Sequence, residues 1–324
     1  MYTLGELLEI INKEIAHLEF DGEPKELYQP VKYSLEAGGK RIRPVLVLAG
    51  CNLFTEDISV AIHPALAIEI FHNFTLLHDD IMDKAELRRN LPTVHKKWNE
   101  NIAILSGDAM LIRAYQELIK APATRFLPII ELFSKTAIEV CEGQQYDMNF
   151  EMLRQVSEEQ YLEMIKLKTS VLLAASLKTG ALCGMAGERD CNLIYDFGLN
   201  LGLAFQLQDD YLDTFGEKEK FGKYIGGDIA ANKKTYLLVK AIELANQKDL
   251  ETIYSLLSAE NINRNEKYNK MISIFNDLNI KNIVKDKIEY FYQLAIKSLD
   301  VINVETTRKI VLKEFAEKLM ERES

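Results

Sequence analysis

The segment FTLLHDDIMD, residues 74–83, has a counterpart of the same form in FQLQDDYLD, residues 205–213. Both contain the pattern L-x-D-D-φ-φ-D, where φ is an apolar residue, and in both the flanking residues predict a buried helix. On a helix, residues four apart lie about 40° apart around the axis. The first and third aspartates of each segment are therefore expected to project from one helix face: Asp79 with Asp83, and Asp209 with Asp213.

A single acidic triplet is typical of a solvated helix face, but two such triplets inside apolar helices are not. Like charges in a partly buried site repel by a few kcal/mol per pair at ~4 Å, so a cation is expected to neutralise them. A set of carboxylates suits Mg²⁺, which keeps waters and shares its coordination shell with substrate phosphates. His72 precedes Asp79 by seven residues and shares its helix face.

Basic residues accompany the acidic segments, although the chain is acidic overall. Each alone is typical of a surface charge, but together they could bind two anionic groups, because arginine forks and lysine point charges both recognise phosphate oxygens. They are Lys40, Arg41 and Arg43 in AGGKRIRP, where two glycines predict an exposed turn; Arg88 and Arg89; Lys168, with Thr169 beside it; and Lys223, Lys233 and Lys234.

Motifs of other phosphate, metal and hydrolytic chemistries are absent from the sequence. It has no GxxxxGK[ST] loop and no GxGxxG turn. It also has no HExxH zinc pattern and no GxSxG nucleophile elbow. A covalent nucleophile is therefore not indicated.

Composition restricts the class of protein. The chain has 324 residues, of which 48% are apolar and 27% charged, and its net charge is -10. These values are typical of a soluble globular protein, and the acidic balance argues against non-specific nucleic-acid binding. The four cysteines lack CxxC spacing and are expected to be reduced and mostly buried. We expect no signal peptide, no membrane span and a cytoplasmic location.

Helical periodicity dominates the chain. Leu4, Leu7, Leu8, Ile11 and Ile15 form an amphipathic stripe. Alternating β patterns are scarce, and the best candidate, RPVLVLAG, is equally consistent with a buried helix. All seven prolines lie at or before residue 128, and residues 228–324 contain neither glycine nor proline. We predict one all-α domain over residues 1–324.

Five segments, in the order in which they occur, resemble the trans-isoprenyl diphosphate synthases, the polyprenyl synthetase family. They are AGGKRIRP, HNFTLLHDDIMDKAELRRN, KLKTS, FQLQDDYLD and GKYIGGDIAANKKT, which together span residues 37–235. The resemblance implies a single-domain bundle of about ten or more helices around a deep central cavity, usually in a homodimer. It also implies a reaction in which isopentenyl diphosphate attacks the carbocation left when an allylic prenyl diphosphate ionises, followed by loss of a proton.

The resemblance assigns a role to each motif residue. The Mg²⁺ ions, three per active site with diphosphate bound, would be bound by Asp79, Asp83 and Asp209, with Asp80, Asp210 and Asp213 completing the shells. Isopentenyl diphosphate would be held by Lys40, Arg43, His72 and Arg89. The allylic diphosphate or its cation would be faced by Arg88, Lys168, Thr169, Gln206, Lys223 and Lys233. No protein general base is implied, because the departing diphosphate can take the proton.

Product length is expected to depend on residues before the first acidic segment. Phe74 and Phe71 precede Asp79 by five and eight residues, roughly 7 and 12 Å along a helix. Two such phenylalanines are also typical of an ordinary core. In the family, an aromatic residue five positions before the first aspartate resembles a floor of the cavity that stops elongation early. The motif DDIMD, residues 79–83, also lacks the two extra residues that short-chain bacterial farnesyl synthases usually carry there. A product of fifteen or twenty carbons is predicted.

Other functions remain open. A longer-chain polyprenyl synthase would use the same motifs, and a terpene cyclase shares the metal and diphosphate chemistry but needs no second diphosphate pocket. An inactive subunit of a heteromeric synthase typically lacks an acidic motif, whereas both are intact. A ferritin-like di-metal bundle would use Glu-x-x-His pairs, present at Glu14–His17 and Glu69–His72, but leaves the basic residues unexplained.

Overall fold

The structure is a computed structural model that describes residues 1–216, 226–259 and 262–321. It is all-α, as the helical stripes predict. The first ten helices are α1 Leu4–Ala16, α2 Lys25–Glu36, α3 Ile42–Asn52, α4 Ile62–Met82, α5 Val94–Lys97, α6 Glu100–Leu118, α7 Phe126–Met152, α8 Glu158–Ile165, α9 Val171–Cys183 and α10 Glu188–Phe215. The later ones are α11 Gly227–Ala230, α12 Tyr236–Leu244, α13 Gln247–Ser258, α14 Arg264–Asp277, α15 Ile280–Asp300 and α16 Thr306–Met320.

Three short elements complete the described chain. A 3₁₀ turn over Ser59–Ala61 precedes α4, and a π-helix over Lys166–Ser170 joins α8 to α9. Two strands, β1 Leu87–Arg88 and β2 Leu91–Pro92, pair antiparallel in a small hairpin.

The residues divide into two compact units, which are described separately. Unit 1 comprises Met1–Ser134, Ala175–Tyr195 and Ile302–Leu312. Unit 2 comprises Lys135–Ala174, Asp196–Val301 and Lys313–Ser324. The sequence-based expectation of one domain over residues 1–324 stays a prediction.

Unit 1 begins with the amphipathic helix expected from the sequence. Thr3 and Glu6 form a capping box at the start of α1: the Glu6 amide donates to Thr3 Oγ1, and the Thr3 amide donates to Glu6 Oε2. Leu7 and Ile11, from the predicted stripe, are fully buried. α1 packs on α3 and α4 through this face.

The ambiguous segment RPVLVLAG is the helix α3. All its residues from Pro44 to Asn52 are buried, on every side of the helix. A helix buried all round has no polar face, so neither a period of two nor one of 3.6 is visible in its sequence.

Helix α4 is the core of unit 1 and carries the first acidic segment at its end. It packs against α3, α6, α1 and α2. The segment Ser59–Met82 is also long and apolar enough, by length and composition alone, to cross a membrane, which the sequence analysis did not expect. Of its most apolar window, 67% is buried in the protein. That burial is what a core helix shows, and it explains the high apolar content without a membrane.

In unit 2, asparagines lie at the helix boundaries. Glycine and proline, the usual markers of such boundaries, are absent from residues 228–324, so these boundaries were not predicted. The side chains of Asn246 and Asn263 cap the first turns of α13 and α14. Asn279 adopts a left-handed conformation, φ 56°, before α15. The apolar faces of α12, α14 and α15 pack together around the fully buried Leu237 and Ile280.

The four cysteines are free, and Cys51, Cys183 and Cys191 are buried, whereas Cys141 is exposed. This confirms the expectation that the thiols are mostly buried.

Candidate active site

In unit 1, the AGGKRIRP segment forms a tight left-handed turn between α2 and α3. Gly38, Gly39 and Arg41 have φ values of 79°, 135° and 48°. A Cβ on Gly39 would lie 2.6 Å from the Arg89 guanidinium, so only glycine lets this arginine lie against the turn. The turn and Arg89, predicted together as an anion site, are therefore adjacent. Lys40 is exposed on the same turn.

The turn does not expose Arg41, contrary to the sequence-based expectation. The Arg41 side chain is buried, and its Nη1 lies 2.5 Å from Glu69 Oε1. The sequence analysis missed this ion pair because Glu69 lies 28 residues away and its contact has no local signature. The pair also removes Glu69 from the ferritin-like hypothesis, which needed that carboxylate as a metal ligand.

Arg43 and His72, both predicted to bind isopentenyl diphosphate, are in direct contact. Arg43 Nη1 lies 3.1 Å from His72 Nε2. Burial and the charges of Arg43, Arg89, Arg88 and Arg41 hold the pKa of His72 well below its usual range, so the imidazole is neutral at pH 7. Its Nε2 therefore accepts a hydrogen bond from Arg43. Burial lowers the pKa of Arg43 to about 10, which keeps the guanidinium charged.

The small hairpin after α4 places Arg88 against the first acidic segment. Arg88 Nε donates to Asp80 Oδ1 at 2.7 Å, and its Nη2 donates to Asp79 Oδ2 at 3.2 Å. The turn residues Arg89 and Asn90 have φ values of 54° and 62°, both in the left-handed region that a type I′ hairpin turn requires. The side chain of Asp83 is exposed beyond the end of α4.

The two phenylalanines expected to limit product length belong to a row of aromatic rings in unit 1. Phe71 and Phe74 have ring centroids 5.6 Å apart. Phe71 also meets Phe133 edge-to-face at 5.1 Å, and Phe74 meets His78 at 4.7 Å. Both phenylalanines are buried, so each is part of the core whatever its effect on the product.

In unit 2, the KLKTS segment is the π-helix. A Cβ on Gly143 would lie 2.2 Å from the Lys168 amide nitrogen, so the backbones of α7 and the π-helix are in close contact. Thr169 Oγ1 donates to Gln206 Oε1 at 3.2 Å, which brings together two residues predicted to act on the same substrate. Lys168 Nζ lies 2.6 Å from Asp147 Oδ2. Single π turns inside helices occur frequently at functional sites.

The second acidic segment is held inside unit 2 by neutral donors. The Tyr161 hydroxyl donates to Asp210 Oδ2, and the Tyr236 amide donates to the same oxygen at 3.0 Å. Burial raises the pKa of Asp210 to about 7 even though these hydrogen bonds favour its charged form. Asp210 is buried, whereas the neighbouring Asp209 is partly exposed.

Asp213 holds the first residues of α11. Its Oδ2 accepts a hydrogen bond from the Asp228 amide at 2.9 Å. Lys233 Nζ lies 3.8 Å from Asp228 Oδ1, and most of its side chain is exposed. Lys223 lies outside the described residues. The sequence analysis missed Asp147, Tyr161 and Asp228, because long-range partners leave no spacing pattern.

The donor set fits Mg²⁺. Among residues 1–216, 226–259 and 262–321, no group of three or more His, Cys, Asp or Glu side chains is arranged to hold a metal ion by itself. The predicted ligands are all carboxylates, the donor type of an ion that takes one or two of them and completes its shell with water and substrate phosphate. The assignment of Asp79, Asp80, Asp83, Asp209, Asp210 and Asp213 as ligands stays a prediction.

Comparisons with known proteins give one consistent result. The polyprenyl synthetase family model matches residues 24–275. The geranylgeranyl diphosphate synthase of Methanosarcina mazei is 41% identical, over 70% of this chain and 71% of its own. The geranylgeranyl pyrophosphate synthase of Geoglobus acetivorans is 36% identical, over 97% and 96%.

A solved structure supports the same relationship. The crystal structure of a geranylgeranyl pyrophosphate synthase superposes with a TM-score of 0.94 at 45% identity and covers 100% of both chains. The family match, these relatives and the all-α fold agree with the five motifs, and the chain therefore belongs to the polyprenyl synthetase family.

Proposed function

We propose that this prenyltransferase condenses isopentenyl diphosphate with an allylic diphosphate to give a trans-prenyl diphosphate of fifteen or twenty carbons. The family and the names of its relatives support a short-chain synthase. The observation that carries the proposal is in unit 1, where Arg43 contacts His72, Arg88 pairs with Asp79 and Asp80 on the same helix, and Arg89 lies against Gly39 of the turn. Such a concentration of guanidinium groups beside the first acidic segment suits a diphosphate.

Isopentenyl diphosphate would bind to the turn before α3. Arg43 and Arg89 supply positive charge, the exposed Lys40 adds an ammonium group, and His72 is hydrogen-bonded to Arg43. Because Nε2 accepts from Arg43, the neutral imidazole carries its proton on Nδ1, which can donate to a phosphate oxygen while Arg43 supplies the charge.

The motifs assign the allylic substrate to Arg88 in unit 1 and to Lys168, Thr169, Gln206 and Lys233 in unit 2. Arg88, now bonded to Asp79 and Asp80, could turn towards a diphosphate because about a third of its side chain is exposed. In unit 2, Thr169 and Gln206 present oxygen dipoles, and Lys168 and Lys233 add charge. Oxygen dipoles fixed before reaction stabilise positive charge that develops on the allylic carbon. Lys223 is assigned to this group from the motif alone.

Asp79, Asp83 and Asp209 are the residues that would hold Mg²⁺, and Asp80, Asp210 and Asp213 would complete the coordination shells. When bound, the metal would neutralise the allylic diphosphate and favour its departure. Asp79, Asp80, Asp210 and Asp213 each already accept a hydrogen bond from a protein group, which orients these carboxylates before a metal binds.

A homodimer and a cytoplasmic location are part of the proposal. Leu105 and Ile112 on α6, and Ile119 directly after its end, follow one another at seven-residue intervals and are 60%, 62% and 67% exposed. A contiguous apolar stripe of this kind is typical of a subunit interface. Four free cysteines fit a reducing compartment.

The test is incubation with isopentenyl diphosphate and allylic primers of five, ten and fifteen carbons, with Mg²⁺ or with chelator. We expect Mg²⁺-dependent products that end at fifteen or twenty carbons by mass spectrometry. Phe74→Ala is expected to lengthen the product. Phe71→Ala is expected to do so less, because Phe71 lies about one helical turn farther from Asp79 than Phe74 does.

Other outcomes would redirect the proposal. A much longer product would indicate a long-chain synthase, and unchanged lengths in both variants would place the floor elsewhere. If folded, metal-loaded protein extends no primer, a cyclase or an inactive subunit becomes the better interpretation.

A further inference from the structure

A buried polar network lies beneath the proposed isopentenyl diphosphate site and includes none of its predicted ligands. Glu69 on α4 has only 2% of its side chain exposed. It pairs with Arg41 Nη1, and it also accepts a hydrogen bond at 2.9 Å from Asn73 Nδ2. Arg41 Nη2 donates to the backbone carbonyl of Leu35. The network thus joins the last turn of α2, the start of α3 and the middle of α4.

The network holds a residue whose backbone conformation is unfavourable. Arg41 has a φ of 48°, in the left-handed region, where a residue with a Cβ persists only when its surroundings hold it. Arg41 follows Lys40 and precedes Arg43 by two residues. Fixing its side chain therefore fixes the direction in which both neighbours leave the turn.

Glu69 is also a negative charge placed among cations. Its attraction opposes the lowering of the pKa that burial imposes on Arg43 and Arg89. On α4 it lies one turn before His72, the partner of Arg43. The carboxylate can therefore reduce repulsion among the arginines while no anionic substrate is present.

We propose that Glu69, with Arg41 and Asn73, is the positioning residue of the isopentenyl diphosphate site, holding the turn in the conformation that presents Lys40 and Arg43 to the diphosphate. This inference rests on the proposed function. It makes a prediction of definite sign, because a carboxylate that acted only as a nearby charge would weaken anion binding. Its removal would then strengthen binding, whereas removal of a positioning residue weakens it.

The experiment measures binding of isopentenyl diphosphate to the full chain by calorimetry, without allylic substrate, so that no turnover occurs. Glu69→Gln keeps the size of the side chain and removes its charge. We expect its Kd to be weaker than that of the wild type by roughly tenfold or more, the scale of a lost hydrogen bond to a charged group. In steady-state assays, the KM for isopentenyl diphosphate is expected to rise much more than the KM for the allylic primer.

Glu117→Gln is the matched control. Glu117 is equally buried, in the same unit, and pairs with Lys120 and His63. Its variant carries the same chemical change away from the turn, and we expect it to bind isopentenyl diphosphate as the wild type does. A loss shared by both variants would indicate general destabilisation and would overturn the inference.

The other binding results also test the inference. Unchanged or tighter binding in Glu69→Gln overturns the inference alone. If that variant does not fold by circular dichroism, Arg41→Lys and Asn73→Ala replace it, and wild-type binding in both would overturn the inference. A wild-type protein that does not bind isopentenyl diphosphate would overturn the proposed function, and this inference with it.

Discussion

The two acidic segments share one sequence pattern but are stabilised by different groups. In unit 1, Asp79 and Asp80 are paired with the guanidinium of Arg88, which is 35% exposed. In unit 2, Asp210 accepts hydrogen bonds from the neutral Tyr161 hydroxyl and the Tyr236 amide, within a buried site.

This difference makes the first acidic segment adjustable and the second one preorganised. A partly exposed ion pair contributes little to stability, about 0–1 kcal/mol, so Arg88 can exchange a carboxylate for a phosphate at low cost. Buried donors that lose their acceptor cost much more. We infer that the first segment can rearrange when substrate binds, and that the second is held in place by the fold.

The largest expected effect is on catalysis, where the two segments should behave alike. Asp79→Asn and Asp209→Asn are each expected to lower kcat by about 10²–10³-fold, because each removes charge that would hold Mg²⁺ on the departing diphosphate. Initial rates at saturating substrate measure this effect, and Asp286→Asn, an exposed aspartate on α15, is the control. A loss confined to one variant would show that only one segment acts in the chemical step.

The second prediction concerns stability, where the two segments should differ. Asp210→Ala leaves the Tyr161 hydroxyl and the Tyr236 amide without their acceptor and is expected to cost about 3 kcal/mol. Asp80 is as buried as Asp210, but Asp80→Ala leaves only Arg88 without its partner, and that side chain is 35% exposed and can bond to water, so the expected cost is about 1 kcal/mol or less. Urea unfolding of both variants tests this difference. Equal costs would refute the contrast between an adjustable and a preorganised segment.

The third prediction tests how the π-helix of unit 2 is held. Gly143→Ala places a methyl group 2.2 Å from the Lys168 amide and is expected to cost about 2 kcal/mol and to raise the KM of the allylic primer. Gly5→Ala, in α1, meets only Thr3 Oγ1 at 4.0 Å and should stabilise the protein by up to about 1 kcal/mol.

The stabilities of the two glycine variants together show whether the packing of α7 holds the π-helix. If Gly143→Ala were as stable as the wild type, the close packing of α7 on the π-helix would not be what positions Lys168 and Thr169.

The sequence predicted the features that are local. The stripe from Leu4 to Ile15 predicts α1, because it depends only on helix geometry. The order of the five motifs predicts the family. Even the contact between Arg43 and His72 is consistent with their shared assignment to one substrate.

The features that the sequence did not predict depend on distant partners or on burial. Arg41 was expected to be exposed, because a charged residue after two glycines usually is, but Glu69 pairs with it inside unit 1. The π-helix conformation of KLKTS and the bond from Lys168 to Asp147 also depend on packing rather than on spacing. The asparagine caps of unit 2 were readable from the sequence but were overlooked in favour of glycine and proline.

The smallest expected effect is an acid-induced loss of stability. It comes from Glu158 in unit 2, a carboxylate outside both acidic segments. Glu158 at the start of α8 accepts hydrogen bonds from Lys287, Lys240 and Tyr236. Burial alone would raise its pKa, but these three donors lower it to about 2. Because the carboxylate is more acidic in the folded state than its usual 4.5, it stabilises the fold above pH 4.5.

That contribution is lost as the pH falls from about 4.5 towards 2, when the folded-state carboxylate becomes protonated. Thermal unfolding at pH 6 and pH 3 should therefore show a smaller acid-induced loss of Tm for Glu158→Gln than for the wild type. Because solvent screens the partly exposed cluster, the difference should be at most about 1 kcal/mol. Glu251→Gln makes the same change at an exposed position of α13 and should retain the full loss. If both variants resembled the wild type, the acid sensitivity would have to come from another carboxylate with a lowered pKa, such as Glu117, because burial raises the pKa of Asp80 and Asp210 and so favours the fold at low pH.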